Sequence, residues 1–149
     1  MAKKAELLEA LEESAYNAEL IPDLQAYVKQ SLAESDYELD LYLGLLRQYQ
    51  FFPSRFDADI CKGVLAKTMT RFPENHFLLA LYLLPEEHLA REDSPVFSLV
   101  RTAKILENCL FEEFWKERSK GEHKKLFDSI KGFDEAVRRY VLLSVTITF

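Results

Sequence analysis

The sequence has few of the residues on which all-β and disulfide-bonded proteins depend. Its 149 residues include four glycines, five prolines and two cysteines. Sandwiches and barrels need many tight turns, so this scarcity of glycine and proline argues against them. Cys61 and Cys109 lie far apart, have no CxxC partner and sit in apolar helical patterns. This arrangement predicts buried, reduced thiols and no disulfide framework.

Long apolar segments are also missing. The N-terminus, MAKKAELLEALEES, carries charges throughout and lacks the apolar run of a signal peptide or membrane span. We therefore expect a soluble protein of a reducing compartment, most simply the cytoplasm, with no membrane partner. Basic residues are outnumbered, since 19 Lys and Arg stand against 25 Asp and Glu, for a formal charge of −6. This balance argues against non-specific nucleic-acid binding as the main task, because such binding needs clustered basic residues.

Motifs of catalysis and metal binding are absent from the sequence too. No GxGxxG, GxxxxGKS, GxSxG or HExxH pattern occurs, and none of His76, His88 and His123 lies four residues from another histidine. Cys61 would need an activating base to act as a nucleophile. His88 and Glu92 are interpreted as an ordinary surface pair. We therefore expect no enzyme activity, no cofactor and no metal.

What the sequence does contain is helical periodicity, most clearly from Ser35 to Phe56. Apolar residues cover most of the circumference of this segment, which is typical of a helix packed between other elements. They are Leu39, Tyr42, Leu43, Leu46 and Tyr49 on one face and Tyr37, Leu41 and Leu45 on a second, with a polar stripe of Asp36, Asp40, Gly44, Arg47 and Gln48. Ser35 and Glu38 match a capping box that predicts the helix start. Pro53 predicts the helix end near Phe52.

Further periodic segments predict partner helices for this one. Together with it they form helical hairpins that begin near residues 20, 53 and 94. A spacing of about 35 to 40 residues is that of HEAT-type units. We therefore predict an all-α fold of stacked antiparallel helical hairpins, a HEAT-like helical repeat domain. Its expected parts are an N-terminal helix or extension (1–19), the helical domain (20–131) and a last helix (132–149).

Local signals refine these expectations. Ser54 with Asp57 predicts the cap of the helix that follows Pro53, and Ser94 before a proline predicts another helix start. The charged segment Glu86–Asp93 is expected to be a loop. Gly63 lies inside a predicted helix, where glycine lowers stability, so we expect a neighbouring element to approach closely there.

Two segments near the C-terminus have a structural and a binding interpretation. Phe111, Phe114 and Trp115 are either core residues, which their helical spacing favours, or a binding hot spot. The segment KERSKGEHKK is expected to be a helix end followed by a polar turn. Its candidates for a contact with RNA are Lys116, Arg118, Lys120, Lys124 and Lys125.

A set of segments in fixed order carries a resemblance. Within YELDLYLGLLRQYQFFPSRF, Tyr49–Phe51 and Pro53 match a pattern of a leucine-rich helix followed by YQF, proline and an aromatic residue. The other matching segments are Ile21–Val28 (IPDLQAYV), Cys109–Trp115 (CLFEEFW), Gly132–Tyr140 (GFDEAVRRY) and Ile147–Phe149 (ITF). Over residues 20–149 the chain resembles the k subunit family of eukaryotic translation initiation factor 3.

The resemblance implies a HEAT-like domain followed by a winged helix, which together form a PCI-type module. It implies a non-catalytic structural subunit that helps assemble initiation factor 3, docked beside the l subunit, in a complex that acts on the small ribosomal subunit. Two alternatives stay open. One is a helical adaptor in another PCI-type assembly, such as the proteasome lid or the signalosome. The other is a small helical enzyme in which Cys61 or a histidine meets a carboxylate.

The chain stops where the resemblance implies that a winged helix follows. Its last helix is apolar up to its final residues, and such a surface needs a cover in water. We expect either a fragment or a short form whose end rests on another subunit. The candidate partner-interface residues are Arg138, Val141, Leu142, Val145, Ile147 and Phe149.

Overall fold

The structure is a computed structural model that describes residues 2–14 and 16–148, with side chains described for residues 4–14 and 16–145. Every regular element in these ranges is helical, so the predicted all-α class is confirmed. The α-helices are α1 (Ala2–Glu13), α2 (Ile21–Leu32), α3 (Leu39–Phe51), α4 (Ala58–Met69), α5 (His76–Tyr82), α6 (Glu86–Ala90), α7 (Phe97–Glu107), α8 (Phe111–Arg118), α9 (Gly121–Asp128) and α10 (Phe133–Thr148).

Successive helical hairpins stack on each other. The hairpins are α2 with α3, α4 with α5 and α7 with α8. The first two touch through α2 and α4 and through α3 and α5, and α4 also contacts α7 and α9. This arrangement is the HEAT-like stack that the sequence spacing predicts, in which each unit buries its apolar side against the next.

The central helix, α3, is buried on most of its sides, as its periodicity predicts. Its buried residues are Leu41, Tyr42, Leu43, Gly44, Leu45, Leu46, Gln48 and Tyr49. Gly44 and Gln48 belong to the expected polar stripe, but the N-terminal segment covers them. A Cβ added at Gly44 would lie 2.5 Å from Leu11 Cδ1, and Gln48 Oε1 accepts a hydrogen bond from the Asn17 N–H at 3.1 Å. The polar stripe is therefore the surface on which α1 packs.

The start of α3 differs from the prediction. The helix begins at Leu39 without a side-chain cap, so the capping box predicted at Ser35 is wrong. Asp36 explains the difference. Its carboxylate accepts hydrogen bonds from Lys4 Nζ at 2.7 Å and from Tyr27 Oη at 3.0 Å. These contacts with α1 and α2 tie the residues before Leu39 to the neighbouring helices.

Other boundaries are partly as predicted. Asp57 caps α4 alone, since its Oδ1 accepts from two backbone N–H groups of the first turn at 3.0 and 3.1 Å, and Ser54 lies in a short 3-10 helix instead. The segment Glu86–Asp93 contains the short helix α6 where a loop was expected. The helix α7 begins at Phe97, slightly later than predicted, because the Ser94 hydroxyl bonds a backbone N–H two residues on and holds a turn there.

Two contacts join α2 to α4. A Cβ added at Gly63 would lie 2.6 Å from Leu32 Cδ1, so the predicted close approach at Gly63 is confirmed. Lys67 is buried, and its Nζ donates to the carbonyl oxygens of Ser31 and Glu34, both at 2.9 Å. Burial lowers the pKa of Lys67. These carbonyls lie in the last turn of α2 and just beyond it, where few helix N–H groups are left to bond them, so Lys67 supplies a charged donor from the neighbouring helix.

Replacing Lys67 with methionine keeps the length of the side chain and removes both hydrogen bonds. We expect the free energy of unfolding to fall by about 2 to 3 kcal/mol, because two carbonyls lose a charged donor. Urea denaturation followed by circular dichroism measures the change. Lys29→Met, at an exposed lysine of α2, is the control and should change stability by less than about 0.5 kcal/mol. Equal effects of the two variants would contradict the assigned role of Lys67.

Candidate partner interface

The last helix presents an apolar surface to solvent. Leu142 is 67% exposed, and Leu143 and Val145 are 47% and 46% exposed. Arg138 lies one turn before Leu142 and is also exposed. The opposite side of α10 is buried through Phe133, Ala136, Val137 and Tyr140. We name Arg138, Leu142 and Val145, which lie on one side of the helix, the α10 face; Leu143 lies to one side of it, in a pocket with Phe72 and Arg139. Adjacent exposed apolar side chains of this size are typical of interaction sites.

The other predicted interface residues have different placements. Val141 is half-buried and packs against the core. Ile147 lies in α10, but its side chain and the whole of Phe149 lie outside the described residues. Arg138 places its guanidinium carbon 5.8 Å from the centroid of the Trp115 ring. Leu143 was missed by the prediction, although its place in the apolar run of the last helix was the available signal.

The position of α10 is fixed by Arg118, which is only 8% exposed. Its Nε donates to Asp134 Oδ1 at 2.9 Å, and its Nη2 donates to Asp128 Oδ1 at 2.7 Å and to Asp134 Oδ2 at 3.3 Å. Burial alone would lower the pKa of Arg118, but the hydrogen bonds with Asp134 and Asp128 outweigh it and raise that pKa. Because α8, α9 and α10 each supply one member, this ion-pair network holds the base of the α10 face.

The five candidates for an RNA contact differ in their exposure to solvent. Arg118 is buried and occupied by two carboxylates, so it is not accessible to RNA and we remove it from the predicted set. Lys116, Lys120 and Lys124 are exposed, and each lies within 4 Å of a carboxylate three or four residues away. Lys125 is exposed as well. An RNA contact through these four lysines stays a prediction.

An aromatic cluster connects the same three helices. Phe114, Phe127 and Phe133 are buried, and the ring centroids of Phe127 and Phe133 lie 4.3 Å apart. Trp115 and Phe111 are only half-buried at its edge. The core interpretation of the aromatic segment therefore holds fully for Phe114, while Trp115 also forms part of the surface beside Arg138.

The two cysteines differ from each other. Cys61 is fully buried, and burial raises the pKa of its thiol to about 12, so the thiol is protonated at neutral pH. Cys109 is exposed, so its predicted burial is wrong. It follows the end of α7 with a φ of 62°, the left-handed conformation in which many helices end.

His88 and His123 make local contacts in separate places. His88 stacks on Phe56, with ring centroids 4.3 Å apart, and its Nε2 lies 3.8 Å from Glu87 Oε1, so the predicted pair with Glu92 is wrong. His123 contacts the Ser98 hydroxyl, with Nε2 and Oγ 3.1 Å apart. In the described part of the chain, no group of three or more histidine, cysteine or acidic residues is arranged to hold a metal ion. None of the helices within residues 2–14 and 16–148 has the length and apolarity to cross a membrane.

Comparisons with known proteins find a family and several relatives of this chain. A model of the CSN8/PSMD8/EIF3K family matches residues 55–149. "Eukaryotic translation initiation factor 3 subunit K" of Xenopus laevis is 32% identical over 134 residues, which is 90% of this chain and 60% of that protein. The proteins of the same name from Anopheles gambiae (35% over 144 residues, 97% and 62%) and Homo sapiens (31% over 134 residues, 90% and 60%) are similar to it as well. The chain thus spans about 60% of the length of these relatives.

Proposed function

Because the chain belongs to the CSN8/PSMD8/EIF3K family, we propose that it is a non-catalytic structural subunit of eukaryotic translation initiation factor 3. In this role it helps assemble, in the cytoplasm, the complex that acts on the small ribosomal subunit during initiation, with the l subunit as its neighbour. The observation that carries the proposal is the similarity, at 31–35% identity over at least 90% of this chain, to proteins named as subunit K of that factor.

The α10 face supports a role in assembly. Its exposed Leu142 and Val145 follow Arg138 at helical spacing, and Arg138 lies over the half-buried Trp115; arginine and tryptophan are enriched among residues that dominate binding energy. The ion pairs of Arg118 hold this face in one position, so a partner meets a surface that is already ordered. Preorganisation of this kind lowers the entropy cost of association.

Leu142→Asp combined with Val145→Asp tests this docking surface. Both side chains are exposed, so the fold should be retained, whereas carboxylates within an apolar contact should weaken incorporation by at least about tenfold. The measurement is native mass spectrometry after mixing the purified chain with initiation factor 3 depleted of its k subunit. Phe51→Asp, at an exposed apolar residue of α3, is the control. Incorporation of the double variant at the wild-type level would contradict docking through α10.

A second candidate follows from the family description, which names CSN8 and PSMD8 beside EIF3K. In this alternative the chain is a helical adaptor of another PCI-type assembly, such as the proteasome lid or the signalosome. The fold would be the same, so fold alone does not separate the two. The set of subunits that co-purifies with the chain does.

A further inference from the structure

A small pocket lies between α10 and the turn that follows α4. Its volume is about 230 Å³, and the residues that line it include Arg71, Phe72, Pro73 and Glu74 of the turn and Arg139 and Leu143 of α10. We name it the α4–α10 pocket. Sites for small molecules usually have volumes of about 300 to 1,000 Å³. This pocket therefore suits one or two side chains of a protein partner better than a cofactor.

The two walls of the pocket are held against each other. The ring centroid of Phe72 lies 5.5 Å from that of Tyr140 in α10 and 5.7 Å from that of Phe77 in α5. Within the turn, the Glu74 N–H donates to the carbonyl oxygen of Arg71 at 2.7 Å. The pocket is thus formed before any partner arrives, which lowers the entropy cost of binding.

Two arginines give the pocket its binding chemistry. Arg71 and Arg139 are both exposed. Arg71 places its guanidinium carbon 4.1 Å from the centroid of the Tyr37 ring, so one face of its guanidinium is held in place. In the part of the chain with described side chains, no carboxylate oxygen lies within 4 Å of a guanidinium nitrogen of either arginine. Both arginines can therefore accept an anion from outside.

The acidic groups nearby do not cancel this charge. Glu74 lines the pocket, and its Oε2 lies 3.6 Å from His76 Nε2. Glu135 lies one turn before Arg139 on α10, and Lys131 lies one turn before Glu135. The residues that line the pocket carry two positive charges against one negative charge. The lining therefore favours a single negative group over a positive one.

The mixture of charged and apolar lining selects among possible occupants. RNA and anionic membranes are polyanions, which Glu74 and the formal charge of −6 disfavour. Symmetric pairing of two copies would bring pockets of like charge together, which is costly. A protein carboxylate is a single anion whose geometry fits a guanidinium, and an apolar side chain next to it would cover the exposed Leu143.

We propose that the α4–α10 pocket is the docking site for a segment of another protein that carries an aspartate or glutamate within one helical turn of an apolar residue. The carboxylate pairs with Arg71 and Arg139, and the apolar side chain covers Leu143 and Pro73. The site borders the α10 face, since Leu143 directly follows Leu142. It does not depend on which assembly contains the chain.

The first test identifies the occupant. A photo-crosslinking amino acid replaces Leu143 in the full chain expressed in cells, and the crosslinked peptides are identified by mass spectrometry. The expected product is a segment of another protein with an aspartate or glutamate within about four residues of an apolar residue. The same crosslinker at the exposed Gln50 of α3 is the control. A crosslink to RNA, to a second copy or to a segment without an acidic residue, or no product beyond that of the control, would overturn the proposal.

The second test exchanges the charges between the pocket and the captured segment, which is used as a synthetic peptide. Binding to the purified full chain is followed by fluorescence anisotropy. Arg139→Glu should bind the peptide at least about tenfold more weakly than the wild type does. A peptide with lysine in place of its acidic residue should bind the wild type weakly and bind Arg139→Glu at least about fivefold more tightly than the wild type. No such recovery would overturn the pairing with Arg139.

A matched control separates local pairing from net charge and from folding. Arg55→Glu changes the net charge by the same amount at an exposed arginine of the 3-10 helix that packs on α3. This variant should retain the wild-type affinity for the acidic peptide to within about twofold, since the altered charge lies outside the contact. Thermal unfolding followed by circular dichroism checks that both variants are folded. Equal losses of affinity in Arg139→Glu and Arg55→Glu would mean that only total charge matters and would overturn the site.

Discussion

Phe114→Ala is expected to lower the free energy of unfolding by about 3 to 5 kcal/mol. Phe114 is fully buried, and its ring centroid lies 5.4 Å from that of Trp115, 6.2 Å from that of Phe127 and 6.3 Å from that of Phe133. Rigid rings on three different helices surround the site, so the cavity left by the deletion would not close by a small shift of one helix. Urea denaturation followed by circular dichroism gives the stability difference.

Two control substitutions test whether the loss of stability is specific to the fully buried Phe114 ring. Trp115→Ala removes a larger but half-exposed side chain, so we expect a smaller loss of about 1 to 2 kcal/mol. Phe51→Ala removes an exposed ring of α3 and should cost less than about 1 kcal/mol. A Phe114 variant no less stable than the Phe51 variant would show that the three C-terminal helices do not pack around Phe114.

Arg118→Met is expected to have the second large effect, a loss of about 2 to 3 kcal/mol in the free energy of unfolding. The variant leaves the carboxylates of Asp128 and Asp134 without their shared partner. The figure lies below that of a fully buried ion pair because both aspartates are partly exposed to water, which screens them. Lys124→Met removes only the exposed partner of Asp128 and should cost less than about 0.5 kcal/mol.

The pH dependence of the stability difference between wild type and Arg118→Met is a further check on the Arg118 network. Hydrogen bonding by Arg118 lowers the pKa of Asp128 below its ordinary value of 3.8. A carboxyl with a lowered pKa in the folded state adds stability above the unfolded value and loses it as the pH falls through the folded value. The gap between wild type and Arg118→Met should therefore be full near neutral pH and shrink below pH 3.8. A gap that stays constant through acid titration would contradict the ion-pair explanation.

The helical periodicity of the sequence was sufficient to predict the core of the fold. The apolar spacing of α3 predicts its burial, and Pro53 marks its end, because both are local properties of one helix. The helix start depends instead on Lys4, which is 32 residues from Asp36 in sequence and contacts it in space. Glycine signals were informative where a neighbour had to come close, as at Gly63. Contacts between distant segments were not readable from spacing alone.

At the candidate interface, too, residue spacing predicted local features but did not predict contacts between distant segments. An apolar pattern that continues to Val145 predicts a surface, and Leu142 is indeed exposed. Arg118 was grouped with neighbouring lysines because it lies in a basic run, whereas its partner Asp134 lies 16 residues further along. The exposure of Leu78 and Tyr82 was also not predictable, since their helix is apolar on both sides and only the packing shows which side faces the stack.

The assembly in which the chain resides is the central claim, and one purification tests it most directly. The tagged full chain is purified from cells of its own organism at moderate salt, and the co-purifying proteins are quantified by mass spectrometry. Membership in initiation factor 3 predicts that the subunits of this factor, the l subunit among them, are recovered in amounts comparable to the chain. Recovery of proteasome-lid or signalosome subunits in their place, or of no initiation factor 3 subunit at all, would contradict it.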